Sequence, residues 1–349
     1  MSNRRASVVV TIAVALIGLF SLLHYLHPFS SARHVGEIFD DGGNHKDLAP
    51  PKSRPMEEDT PSSATLKVPG ELNGFTPHVW QTSGPKNITK EQGSDIASWR
   101  EKHPFFAFSL MTDEQGDSFV REHFSNRPDI VDLFLRLPIL IVKADLFRYL
   151  ALVAKGGIYA DIDVFCEQPI SAWLPQTHAD SIDSINLIIG LEFDFEFRGE
   201  GVEVASQFAN WVIAAKPGNK HLKHVIDTAV AGIYATAEKN DVDLEHLELW
   251  MFPDVVNIAG PKKMTIAVLE SLSEDMNQLV DDRMISGAKE PRLVGDVLVM
   301  PNNAFAAMQA GFPTDRGPVL VTHHYAGGWK HSADEAKAEK KEKEKAGGQ

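Results

Sequence analysis

The chain has 349 residues, with 34 basic and 48 acidic side chains giving a formal net charge of −14 and a pI near 5.4. That balance argues against a nucleic-acid partner, which usually demands a basic face. Hydrophobic content of 43% and charged content of 23% are those of a globular protein with a sizeable buried core.

The first legible element is apolar. From Val8 to Leu26 the only polar side chains are Thr11, Ser21, His24 and Tyr25. A run of about 19 residues matches the roughly 20 that a helix needs to cross a bilayer. Arg4 and Arg5 precede it, which predicts a cytosolic 1–7, a transmembrane signal anchor at 8–26, and a lumenal remainder. The competing reading is a cleaved signal peptide, for which Ser30-Ser31-Ala32 is a mediocre cleavage site. Residues 27–74 carry Pro50-Pro51, Pro55, Pro61 and Pro69 without periodicity and read as a stem. Residues 75–333 form the folded domain, and 334–349 alternate Glu and Lys as a solvated tail.

Within the domain, short apolar runs alternate with helical patterns. His78–Thr82 reads as a strand, 90–102 as a polar helix, 105–110 as a strand and 113–124 as a helix. Pro138 suits a first helical position, and Gly156-Gly157 ends the helix that follows. Ile158–Ala160 is a strand ending on Asp161, and 187–191 is another. Helices are expected around 202–215 and 222–237, then strands at 297–300 and 319–322. This alternation predicts an α/β layered fold with a mainly parallel sheet, whose ligands sit beyond the carboxyl ends of the strands. Cys166 can form no intrachain disulfide, and its apolar neighbours Val164 and Phe165 favour a buried thiol over an intermolecular bridge.

The chemistry centres on Asp161-Ile162-Asp163. Two carboxylates at a strand end suit Mn²⁺ or Mg²⁺, and such an ion would neutralise the charge that grows on a departing diphosphate. An Asp-x-Asp alone is a weak signal and often only a polar turn, so its surroundings matter. Asp145 and Arg148 lie at i and i+3 on a nearly wholly apolar helix, as a local ion pair or as groups that meet a sugar.

The run Lys143-Ala144-Asp145, Arg148-Tyr149 and Gly156-Gly157-Ile158-Tyr159-Ala160-Asp161-Ile162-Asp163 resembles the sugar-binding region of the fungal initiation-specific α-1,6-mannosyltransferases and their relatives. His78–Thr82, Gly190–Asp194, Gln207–Trp211, Gly260-Pro261, Val297–Pro301 and His323-His324-Tyr325 to Lys330 resemble the same family in order. The resemblance implies a GT-A fold, a Rossmann-like nucleotide-sugar domain. It implies Asp161 and Asp163 as metal and donor ligands, with His324 completing the coordination. His323 is the alternative, because a strand points the two imidazoles to opposite faces. It places Asp145, Arg148 and Tyr159 around the donor sugar, Trp80 against the base and Trp329 near the diphosphate; core packing is the competing reading of both tryptophans. Catalysis would rest on Asp161, Asp163 and Arg148.

The activity implied is retaining transfer of mannose from GDP-mannose, with Mn²⁺ or Mg²⁺, to a glycoprotein N-glycan through an α-1,6 linkage. The protein would be a Golgi type II membrane protein able to join other Golgi glycosyltransferases. Glu192 and Asp194 are candidate nucleophiles if a covalent intermediate forms; otherwise the acceptor attacks from the leaving-group face. The chain departs from the family in carrying Ser83-Gly84-Pro85 where a tryptophan is usual, which puts the acceptor in doubt. A sphingolipid (inositolphosphoceramide) mannosyltransferase is the nearest rival, and a phosphohydrolase using Asp161 and Asp163 a more distant one. Asn87-Ile88-Thr89 is an N-glycosylation sequon, occupied or simply a turn.

Overall fold

A computed structural model describes residues 74–84, 87–174, 182–195, 203–307 and 315–325. The expected anchor at 8–26, the stem up to residue 73, Trp329 and the tail lie outside the described residues. Among the described residues, no helix is long and apolar enough to cross a membrane.

Local sequence sets the helix starts. Helices α1 (Lys90–Lys102) and α2 (Asp113–His123) both open on a capping box. In each, a threonine hydroxyl accepts from the backbone of a glutamine three residues on, and the glutamine side chain accepts from the threonine N–H. Helix α3 (Pro128–Arg136) starts on a proline and was not apparent in the sequence. Helix α4 (Leu140–Lys155) begins at Leu140 and not at Pro138. Proline disfavours helical backbone in the residue before it, so Leu137 is extended and Pro138-Ile139 becomes the joint between α3 and α4.

Helix α4 stops at Gly156, whose φ is +69°, followed by Gly157 at +106°. A Cβ on Gly157 would lie 2.5 Å from the His78 carbonyl oxygen. Only glycine lets the chain reverse this close to the neighbouring strand.

The strands β1 (His78–Thr82), β2 (Ala107–Met111), β3 (Gly157–Ala160), β5 (Leu187–Asp194), β6 (Ser206–Ala215), β7 (Arg292–Val294) and β8 (Val297–Met300) form one sheet. Its order is β2-β1-β3-β6-β5-β8-β7. β1 pairs in parallel with β2 and β3, and β5 with β8, whereas β6 runs antiparallel to β3 and β5, and β7 to β8. The sheet is therefore mixed, and the expectation of a mainly parallel one is corrected.

The cause is β6, which the sequence reading assigned to a helix over 202–215. All ten residues of β6 are buried. The run Phe208–Ala215 is apolar on both faces because the strand is central, and without alternation a buried strand and a buried helix look alike.

Alternate strand residues feed two cores. Trp80, Tyr159, Ile189, Ile213 and Val299 pack under α2 to α4 and the later helices α5 (Lys220–Lys239) and α6 (Pro261–Met276). Val79, Ile158, Ile188, Val212 and Leu298 face the other layer. That layer holds α1, the short α7 (Asn302–Ala306) and a ribbon of β4 (Val164–Cys166) with β9 (Val321–His323). Cys166 is buried there, with its thiol pushed up to about 12 by burial.

Candidate active site

β1 and β3 end at the same edge of the sheet, and the chain leaves β3 directly into Asp161. The Asp161 N–H donates to the Trp211 carbonyl at 2.9 Å, and the Val164 N–H closes the turn on the Asp161 carbonyl at 3.2 Å. β4 then pairs antiparallel with β9, with Val164 opposite His323. Strand pairing thus carries residues near the end of the domain to the Asp161–Asp163 turn. No local signal in the sequence specifies that meeting.

Helix α4 supplies the other half. The Arg148 side chain is 6% exposed, and its guanidinium lies 3.0 Å from Asp145 Oδ1 and 3.4 Å from Asp161 Oδ1. It donates to the Asn210 carbonyl at 2.8 Å and sits 5.0 Å above the Tyr159 ring centroid. The Asn210 side-chain amide donates to Asp145 Oδ1 at 3.0 Å. The Tyr159 hydroxyl donates to Asp161 Oδ1 at 2.8 Å and meets Thr82 Oγ1 at 3.0 Å. The local ion pair allowed by the i, i+3 spacing is formed. It extends to the strand end, so Arg148 holds two carboxylates in place more than it faces solvent.

Electrostatics follow from burial. Asp145 is pushed up to about 6 because its carboxyl is desolvated, against the pull of Arg148. Asp161 is raised by burial, opposed by Arg148 and reinforced by Asp163. Burial alone would lower Arg148, but Asp161 and Asp145 outweigh it and keep the guanidinium charged. Asp145 and Asp161 flank one guanidinium and Asp163 acts on Asp161, so three carboxylates share one positive charge, an arrangement with room for more.

The two histidines separate as a strand requires. His323 Nε2 lies 3.4 Å from Asp163 Oδ1, and its ring packs between Trp211 at 4.5 Å and Tyr325 at 3.9 Å. His324 turns the other way and pairs with the buried Asp95 at 2.9 Å, in a cleft shared with Glu91, Phe165 and Glu167. Of the two candidates, His323 is the one that the structure brings to Asp163, a correction to the preference for His324. The preference failed because neighbouring imidazoles in a strand cannot be told apart until the partner strand fixes the register.

A divalent ion fits this pair. Ligands about 2.1 Å from a cation and at right angles to each other are about 3 Å apart, close to the 3.4 Å separation seen. Carboxylate oxygen and imidazole nitrogen are both acceptable to Mn²⁺. His323 Nδ1 is buried without a hydrogen-bond partner, so the ring is fixed by packing and not by a competing bond. Among the described residues, no three His, Cys, Asp or Glu side chains converge as a complete metal cage. A cation that also binds substrate phosphates needs only one or two protein carboxylates.

Other expectations change. Trp80 is buried, donates its indole N–H to the Gly156 carbonyl at 2.9 Å and stacks on His78 at 3.8 Å. It belongs to the core and not to a base-binding face, because position 80 falls on the side of β1 that α2 covers. Asp194 is buried against Arg316, Ser206 and the Gly287 N–H, which makes it a structural anchor. Glu192 stays near the site, where it and Asp163 both act on the Tyr325 hydroxyl. The sequence reading overlooked Asn210 and Thr82. The signal for Asn210 was present, since an amide inside the apolar run 208–215 needs a buried polar partner.

The chain is similar to glycosyltransferases over this strand-end cluster and beyond it. Residues 89–180 match the family described as the glycosyltransferase sugar-binding region containing the DXD motif, and Asp161-Ile162-Asp163 is that motif in this chain. Across a larger span, the chain resembles the fungal initiation-specific α-1,6-mannosyltransferases. It is 27% identical over 288 residues to the enzyme of that name from Candida albicans, covering 74% of this chain and 73% of that protein. The enzyme of that name from Schizosaccharomyces pombe is 30% identical over 259 residues, 72% of this chain and 63% of its own length. The putative glycosyltransferase HOC1 of Saccharomyces cerevisiae is 29% identical over 242 residues, so this chain spans 59% of that relative and 66% of itself is matched. Among solved structures, the PaToxG glycosyltransferase aligns with a TM-score of 0.38 at 19% identity, over 59% of this chain and 76% of that one.

Proposed function

We propose that the protein is a metal-dependent, retaining mannosyltransferase of GT-A architecture that draws mannose from GDP-mannose and adds it in α-1,6 linkage to a protein-borne N-glycan. The observation that carries the reading is the convergence of Asp161, Asp163 and His323 with the buried Asp145–Arg148 pair at one strand end. The names of the relatives supply the transferred sugar and the linkage; GDP as the carrier and an N-glycan as the acceptor are part of the proposal.

In this reading Asp163 and His323 hold Mn²⁺ or Mg²⁺, and Asp161 is the nearest further carboxylate. The bound ion would offset the charge of the departing diphosphate. The chain's own residues do the rest. Arg148 fixes the carboxylates of Asp145 and Asp161 in a dry wall, so that the site is organised before a donor arrives. Asp145 is the carboxylate placed to accept a sugar hydroxyl, and Asn210 sets its orientation. Tyr159 and Thr82 fix the Asp161 carboxylate from the opposite side. Glu192 is the single carboxylate of the original pair that remains a candidate nucleophile. Golgi placement, the single membrane anchor and partnership with other glycosyltransferases belong to the same proposal.

The test is to offer the full-length protein a panel of nucleotide sugars with Mn²⁺. Turnover with GDP-mannose that disappears in EDTA and in Asp163→Ala supports the reading; turnover that persists in both contradicts it. A second acceptor class is favoured by a specific similarity: inositol phosphoceramide mannosyltransferase 1 of Schizosaccharomyces pombe is 32% identical over 115 residues, 32% of this chain. Supplying an N-glycan and an inositol phosphoceramide side by side separates the two.

A further inference from the structure

The chain contains a single Asn-x-Ser/Thr sequence, Asn87-Ile88-Thr89, between β1 and α1. It is either a turn or a site of glycosylation. In a turn built on Asn87, the side-chain oxygen accepts from the backbone N–H two residues on, that of Thr89. That N–H is already taken, because it donates to Gln92 Oε1 at 3.0 Å in the capping box of α1. The Asn87 side chain makes no hydrogen bond with any described residue. Asn87, Ile88 and Thr89 are all exposed, Ile88 by 41%. The turn therefore lacks its defining bond, and the amide lies open to modification.

The position of Asn87 is tied to the catalytic cluster from both ends. Upstream, Thr82 Oγ1 is 3.0 Å from the Tyr159 hydroxyl, which donates to Asp161. Asn87 is five residues past Thr82, so its Cα lies within about 18 Å of the Thr82 Cα even for a fully extended chain. Downstream, α1 is bound to the same turn. The Trp99 indole N–H donates to the Val164 carbonyl and Ser98 Oγ accepts from the Cys166 N–H, both at 2.8 Å. Asp95 pairs with His324, whose backbone N–H donates to the Asp163 carbonyl at 2.9 Å. Asn87 is thus anchored at the edge of the sheet that carries the Asp161–Asp163 turn.

We propose that Asn87 carries an N-linked glycan and that this glycan, rooted beside the catalytic turn, restricts large acceptors more than small ones. The assignment rests on the lumenal placement in the reading above. The bond formed joins Asn87 Nδ2 to the anomeric carbon of an oligosaccharide carried on a lipid diphosphate. The anomeric carbon–oxygen bond breaks, the lipid diphosphate leaves with the electron pair, and the amide gives up one proton. Transfer to the unfolded chain precedes the capping role of Thr89, so the two uses of its hydroxyl do not compete. A glycan is bulky and hydrated. It obstructs a folded glycoprotein at this edge, while a free oligosaccharide or a nucleotide sugar passes.

The experiment expresses the full-length protein in a eukaryotic cell, treats the isolated microsomes with protease, and then treats the protein with peptide N-glycosidase. Wild type is expected to be protected from protease and to run as a smaller band after deglycosylation, with Asn87 converted to aspartate in the peptide mass spectrum. Asn87→Gln removes the acceptor amide, and Thr89→Asp destroys the sequon while keeping a good N-cap. Both variants should show no band shift and should melt like deglycosylated wild type. Steady-state rates of the purified full-length enzymes then compare acceptors. Asn87→Gln should lower the KM for a folded glycoprotein and leave the KM for a free oligomannoside and for GDP-mannose unchanged. A protected wild type with no band shift overturns the assignment and leaves the lumenal, nucleotide-sugar reading intact. A band shift with equal glycoprotein KM in wild type and Asn87→Gln overturns the restricting role of the glycan. Digestion of the wild-type domain by protease added outside the vesicles refutes the lumenal placement and the assignment together.

Discussion

Replacing Arg148 by methionine would test the buried charge cluster directly. Methionine keeps the length of the side chain but removes the guanidinium that lies 3.0 Å from Asp145 and 3.4 Å from Asp161. The Asp145 and Asp161 side chains are 13% and 27% exposed, so both carboxylates lose their counter-charge in a poorly hydrated place. Removing one partner of a buried ion pair costs about 3–5 kcal/mol. At about 2–4 °C per kcal/mol for a domain of this size, the midpoint should fall by at least about 6 °C.

The pH dependence gives a sharper reading. In wild type, Asp145 is raised from 3.8 to about 6, so folding takes up a proton between those values. Stability is therefore highest below the unfolded value and is lost as pH rises through the folded one, by up to about 3 kcal/mol at 1.36 kcal/mol per unit. Without Arg148 the carboxyl is raised further, so the variant should be much less stable than wild type at pH 8 and should recover part of the difference at pH 5. Urea unfolding of both proteins in EDTA at the two pH values measures this. A difference below about 1 kcal/mol that does not vary with pH would refute the reasoning, because it is the size expected of a surface pair.

Four further outcomes are expected. His323→Ala should weaken Mn²⁺ binding by about 10-fold or more, while His324→Ala leaves it within about 2-fold; equilibrium dialysis with nucleotide present distinguishes them. Trp80→Phe should lower the unfolding free energy by about 1–3 kcal/mol through the unsatisfied Gly156 carbonyl and lost packing, with the KM for the donor unchanged. Asp194→Ala should destabilise by about 3 kcal/mol because it removes the buried carboxylate that pairs with the partly buried Arg316, and a thermal melt will register it before any assay of the chemistry does. Gly157→Ala should destabilise sharply, since a Cβ there collides with the His78 carbonyl, and a small shift in midpoint would show that β1 and β3 can separate.

The elements most legible in the sequence were those with local signals. The helix over 90–102 was read from its polar pattern, its start fixed in the structure by the Thr89–Gln92 capping box, and the end of α4 was marked by Gly156. Asp161, Asp163, Asp145 and Arg148 could be singled out because charge is costly among apolar neighbours. What could not be read depended on distant partners. β6 looked helical because a strand buried on both faces loses its alternation. Trp80 was placed against the base by the family resemblance alone, with core packing as the alternative, and the choice between them needs the helix that covers it. The choice between His323 and His324 turned on a one-residue register set by pairing with Val164, about 160 residues away. Asn210 escaped notice because its partner Asp145 is reached only after β3 and β6 are aligned.

The central claim is that a divalent ion held at Asp163 and His323 enables sugar transfer at this strand end. The initial rate of mannose transfer from GDP-mannose should be measured for the full-length protein across a Mn²⁺ titration, in wild type and in His323→Ala. A rate that vanishes in EDTA, returns with Mn²⁺, and needs a much higher Mn²⁺ concentration in the variant is the predicted result. Identical Mn²⁺ curves for the two proteins, or transfer that continues in EDTA, would contradict it.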